Sequence, residues 1–126
     1  MKTHLAIGAL VLGALSLPAM AGNGPFDAEI DCGGNFSPPA TVPFTLRFES
    51  QAQQAQAIDV TVRLTLPTGQ TITLRDTTIN LRANQDHAID QSLNLKDTSP
   101  RGNYQMTIVA TSNHFATFDT CSFSAS

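Results

Sequence analysis

The sequence predicts an all-β protein, a single immunoglobulin-like sandwich of seven or eight short antiparallel strands. Three observations predict it. Nearly every segment after Pro25 alternates apolar and polar residues, which is the period of a strand with one buried face. Turn-forming residues separate these segments at intervals of about ten residues, as in a sandwich rather than a helical bundle. The two cysteines, Cys32 and Cys121, fall on the inward parity of the first and last segments, so one disulfide is expected to join the two ends of the domain.

The elements follow in order. Phe26, Ala28, Ile30 and Cys32 alternate with Asp27, Glu29 and Asp31, and Phe44, Leu46 and Phe48 alternate with Thr45, Arg47 and Glu49. The longest alternation sets Ile58, Val60, Val62, Leu64 and Leu66 against Asp59, Thr61, Arg63 and Thr65, and the turn Pro67, Thr68, Gly69 closes it. Ile72 and Leu74 come next, then Ile79 and Leu81, then Ile89, Leu93 and Leu95. Tyr104, Met106, Ile108 and Ala110 form the penultimate strand, and Phe115, Cys121 and Phe123 mark the inward parity of the last. Gln51 to Ala57 alone has helix-forming composition and is too short to hold a helix by itself. Gln91 falls on an inward position, for which a bulge near it is the expected reason. Phe36, in the loop from Gly33 to Pro43, is expected to plug one end of the core.

Upstream of the strands, Lys2 and His4 precede an unbroken apolar run from Leu5 to Leu17, then Pro18 and the small-x-small triplet Ala19, Met20, Ala21. This is the order of a secretory signal peptide over residues 1–21. The run is short of the roughly 20 residues that span a bilayer. The domain is therefore expected to cover residues 22–126, in the periplasm or outside the cell, with no membrane insertion after cleavage. In that compartment disulfides persist. Lys and Arg total 7 against 10 Asp and Glu, a formal net charge of −3, which offers no basic footprint for nucleic acid. Trp is absent, which separates the chain from antibody-type domains with their buried tryptophan.

Leu46 to Ser50, Val60 to Leu66 with its Pro67, Thr68, Gly69 turn, and Pro100 to Tyr104 carry a resemblance. The stretch from Pro43 to Ser112 is similar to the fibronectin-III-like and CARDB-like modules of bacterial extracytoplasmic proteins. That resemblance implies the sandwich fold and a role in binding, spacing or assembly. Leu81, Ala83, Asn84 and Gln85, with Ser92, Leu93, Asn94, Ser99, Pro100, Ile108 and Val109, resemble the corresponding stretch of the small periplasmic curli-assembly inhibitor family. This second resemblance implies a chaperone-like restraint on the aggregation of an amyloid fibre subunit. That family carries a Cys-x-Cys pair on one strand, where this chain has single cysteines at opposite ends, so no thiol-linked role carries over.

Catalysis is not expected. Beyond the signal peptide the only histidines are His87 and His114, and no Gly-x-Ser-x-Gly, phosphate loop or His-Glu-x-x-His is present. His87 beside Asp86 and Asp90, and His114 near Asp119, read as isolated turn histidines, so no metal or other cofactor is expected. Asp27, Glu29 and Asp31 share one face, roughly 7 Å apart along the strand; they could contribute to a Ca²⁺ site only if loops supplied several more ligands, and the competing reading is a solvated surface that deters edge pairing. Two constellations remain as partner-binding candidates. Pairing Leu64 with Leu74 sets Arg63 opposite Arg75 on the outer face, where like charges cost stability unless an anionic partner relieves them. Val109 and Phe118 fall outward on the last two strands, an apolar patch able to receive another polypeptide. The chain is thus expected to be a non-enzymatic binding or assembly module whose partner is another protein, such as an extracellular fibre subunit. The alternative is a structural subunit of a fimbria or surface layer.

Overall fold

The computed structural model describes residues 24–126; the signal peptide read from residues 1–21 lies outside them. Eight strands form a two-layer sandwich: β1 (Phe26–Asp31), β2 (Asn35–Phe36), β3 (Ala40–Ser50), β4 (Gln56–Thr65), β5 (Thr71–Leu81), β6 (Asp86–Leu95), β7 (Gly102–Ser112) and β8 (Phe115–Ala125). One sheet has the order β1-β3-β6, and the other the order β2-β8-β7-β4-β5. Every pairing is antiparallel except that of the two-residue β2 with β8, which is parallel.

Alternation sets the core directly. The inward residues of β1, β3, β4 and β7, from Phe26, Leu46 and Val60 to Met106 and Ile108, are buried to the last few percent. Pro43 sits within β3, where it pairs with Ser92 of β6 but lies beyond the reach of β1, whose pairing stops at Thr45. A residue with no N–H is tolerated where a strand has a neighbour on one side only. Ser50 is the one buried polar residue among the described residues; its N–H donates to the carbonyl of Gln85 at 2.8 Å, and its hydroxyl accepts from Ala52 N–H at 3.3 Å.

The register of the β4–β5 hairpin corrects two expectations. Leu66 N–H donates to the Gln70 carbonyl at 2.8 Å, closing a tight loop in which Gly69 takes φ +94°. This moves each partner two residues nearer the turn than read from the sequence: Leu64 faces Ile72 and Arg63 faces Thr73. The register then slips between Val62 and Arg63, leaving Leu74 as the extra residue of β5, and Arg75 faces Val62. The bulge therefore lies in β5. Near Gln91 the strand is regular, with Gln91 directly opposite Phe44.

The two layers are joined most tightly where β1 meets β8. Cys32 and Cys121 form the expected disulfide, with 5.6 Å between their Cα atoms, and both side chains are half-buried against the core. Ile30 N–H, on the side of β1 away from β3, donates to Asp119 Oδ2 of β8 at 3.0 Å. Phe26 packs edge-on against Phe115 at 5.1 Å. Phe36 meets Phe123 edge-on at 6.0 Å, and Phe123 stacks on Tyr104 at 4.9 Å. The Tyr104 hydroxyl donates to the Pro100 carbonyl at 2.6 Å and pins the loop entering β7.

Two outcomes test this packing. Cys32→Ala is expected to lower stability by about 4 kcal/mol, since the bond closes a loop of 89 residues, and denaturant unfolding measures it. Burial raises the pKa of Tyr104, the sole tyrosine, above its ordinary value. Folding favours the neutral phenol, so its stabilising share is whole below the unfolded-state pKa and is lost as pH rises through the folded-state one. Ultraviolet titration should find phenolate forming at higher pH in the folded than in the unfolded chain.

Candidate functional site

The outer face of the five-stranded sheet carries the clearest surface anomaly. Alternation along β8 sends Phe115, Thr117, Asp119, Cys121 and Phe123 inward, so Phe118 must project outward. It is 71% exposed, and among the described residues the only other large exposed apolar side chain is Ile72, at 38%. Phe118 stands directly opposite Val109 of β7, and Val109 in turn faces Thr61 of β4. Val109 is half-buried and outward, as read from the sequence. The surrounding positions, Thr107, Thr111, Ala116 and Thr120, are uncharged, so Phe118 rises from a short-side-chain surface on which another polypeptide meets few charges to desolvate.

β8 is less open at its edge than the sequence reading expected. Its C-terminal end is paired by β2, with Ser124 N–H donating to the Gly34 carbonyl and Ser126 N–H to that of Phe36. The seam with β1 flanks the remainder. The accessible feature is thus the face of β7 and β8 more than a free strand edge.

The arginine pair does not form. Arg63 is outward and exposed opposite Thr73, whereas Arg75 has the inward parity of Val62 and is half-buried. The physical reason is the bulge, which flips the face of every residue of β5 beyond it. Sequence periodicity carries a trace of this flip: Ile72 and Leu74 are even-numbered, Ile79 and Leu81 odd.

A second surface was not singled out as a unit by the sequence. On the outer face of the three-stranded sheet, register places Asp27 opposite Glu49 and Glu49 opposite Asp86, a row of carboxylates across all three strands. One row on, Arg47 bonds Asp31 at 2.8 Å, and that hydrogen bond holds its guanidinium pKa above the ordinary value. These residues border a groove of about 570 Å³ that His87 also lines. His87 lies in β6 and not in a turn, with its ring over Phe48 at 6.5 Å. Among the described residues, no group of three or more His, Cys, Asp and Glu is arranged to hold a metal ion. No helix among them is long and apolar enough to cross a membrane.

No protein-family model matches this sequence, and no curated protein matches it either. Solved structures do. The CARDB domain of a Pyrococcus furiosus protein, in complex with di-metal ions, superposes with a TM-score of 0.64 at 11% identity, covering 80% of this chain and 87% of that one. The fold is CARDB-like. A FixG-related protein from Vibrio parahaemolyticus gives a TM-score of 0.58 at 15% identity, covering 81% of this chain and 97% of that one. A family 123 glycoside hydrolase from Clostridium perfringens gives 0.66 at 8% identity; 82% of this chain matches only 27% of that enzyme's chain. At such identities the likeness concerns architecture, and it adds no support for the curli resemblance.

Proposed function

We propose that this protein is a non-enzymatic extracytoplasmic module that binds another polypeptide on the outer face of β7 and β8. The observation that carries the reading is Phe118, an aromatic side chain 71% exposed beside its cross-strand neighbour Val109. Exposing a phenyl ring forgoes the free energy of its burial, about 2 kcal/mol, which a partner recovers on covering it. The CARDB-like fold supports a module over an enzyme, and the disulfide supports an oxidising compartment outside the cytoplasm.

Within this reading the partner is a fibre-forming subunit, whose aggregation the module restrains by covering an aggregation-prone segment. The curli-like stretch between Leu81 and Val109 motivates that refinement. A polymerised fimbrial subunit is less favoured, because β8 fully pairs β7 from Phe115 to Ala125 and leaves no missing last strand for a neighbour to donate.

The test compares the mature wild type with Phe118→Asp as baits on periplasm and culture medium, and as additives to growing amyloid of a curli-type subunit. Phe118→Asp should keep its melting temperature, since the side chain lies outside the core. It should lose partner capture by roughly thirtyfold, the about 2 kcal/mol of a central aromatic contact, together with any delay of fibre growth. Undiminished capture by the folded variant would overturn the reading.

A further inference from the structure

The sandwich is closed along one side and open along the other. Where β1 meets β8, inward residues such as Ile30, Ala28 and Phe26 are at most 2% exposed. On the opposite side β5 and β6 end their respective sheets. Only the turn from Arg82 to Gln85 joins them, and no backbone pairing bridges the layers there. Their inner faces show the difference. Leu81, beside the turn, is fully buried, but Ile79, Thr77 and Arg75 farther along β5 are half-buried, as are Ile89, Gln91 and Leu93 on β6. Ile72, beyond the bulge, is 38% exposed.

Arg75 makes this opening specific. Its parity turns the side chain to the inner face, and its Nε is the one buried side-chain nitrogen or oxygen among the described residues with no hydrogen-bond partner. Leaving a buried donor of a charged group unsatisfied costs more than a typical hydrogen bond contributes. An inward-pointing charge and a bulge are also means of blunting an exposed strand edge against indiscriminate pairing. Together they penalise an all-apolar strand, and they penalise a basic one more. A strand with a carboxylate at the matching position escapes the penalty, because it pairs with the guanidinium in a charge-assisted bond.

We propose that the open side is a second binding site, which takes an extended segment of a partner polypeptide as a sixth strand beside β5. The segment carries an acidic residue facing Arg75 and apolar residues at the next inward positions, facing Thr77 and Ile79. Its inner face then packs over Ile89 and Leu93 of β6. The site is independent of Phe118, which lies on β8, three strands away and on the outer face.

The test uses two synthetic peptides of alternating valine and threonine that differ at one central valine position, replaced by glutamate in one and by lysine in the other. Amide shifts of the isotope-labelled mature protein are followed on titration. The glutamate peptide is expected to bind at least about tenfold more tightly than the lysine peptide, with shifts concentrated on β5 and β6. Arg75→Met should erase the preference, Arg75→Glu should reverse it, and Phe118→Asp should leave it intact. The wild-type comparison depends on no variant. Equal affinity for the two peptides, binding of neither, or shifts centred away from β5 and β6 would each overturn the proposal.

Discussion

The bond between Cys32 and Cys121 ties the first strand of one sheet to the last strand of the other, and the asymmetry of the molecule depends on it. A three-stranded sheet cannot cover a five-stranded one completely, so one side of the pair must be left short. The disulfide, the Ile30 to Asp119 hydrogen bond and the Phe26–Phe115 contact draw the layers together at β1 and β8. The shortfall then falls on β5 and β6. In a small domain whose net stability is of order 10 kcal/mol, a cross-link contributing about 4 kcal/mol holds that arrangement.

Closing one seam also distributes the surface chemistry. The row Asp27, Glu49, Asp86 turns outward on the small sheet, the neutral threonine-rich face with Phe118 outward on the large one, and Arg75 into the open side. Each surface favours different chemistry: carboxylates repel acidic and apolar strands, an exposed phenyl ring on a neutral face favours apolar partners, and an inward arginine selects for acid. A binding module of the kind proposed gains selectivity from such a division without moving parts.

Much of the fold was legible in the sequence, because a strand buried on one face writes its orientation into alternate residues. Leu46, Val60, Val62, Met106 and Ile108 have inward parity and are core; Phe118 and Val109 have outward parity and face outward. Register was not legible, since alternation says which way a side chain faces but not which residue it meets. The hydrogen bond from Leu66 to Gln70 decides that, and with it the separation of Arg63 from Arg75. The two-residue β2 lies in a Pro- and Gly-bearing stretch whose pairing comes from long-range contact with β8 and leaves no periodicity to read. The open side is hidden in the sequence for a related reason: Ile79, Ile89 and Leu93 look like any core residues until the sheet order shows that β5 and β6 each lack a neighbour on one side.

Native-state hydrogen exchange, resolved by residue, tests this asymmetry most directly. The paired amides of β1, β7 and β8 should exchange only with global unfolding, while those of β5 and β6 should exchange through local openings of distinctly lower free energy. Reduction of the Cys32–Cys121 bond should bring the β1–β8 side down toward the β5–β6 side. Uniform protection across all strands, or a β1–β8 side that opens first while the disulfide is intact, would contradict a sandwich held shut on one side and open on the other.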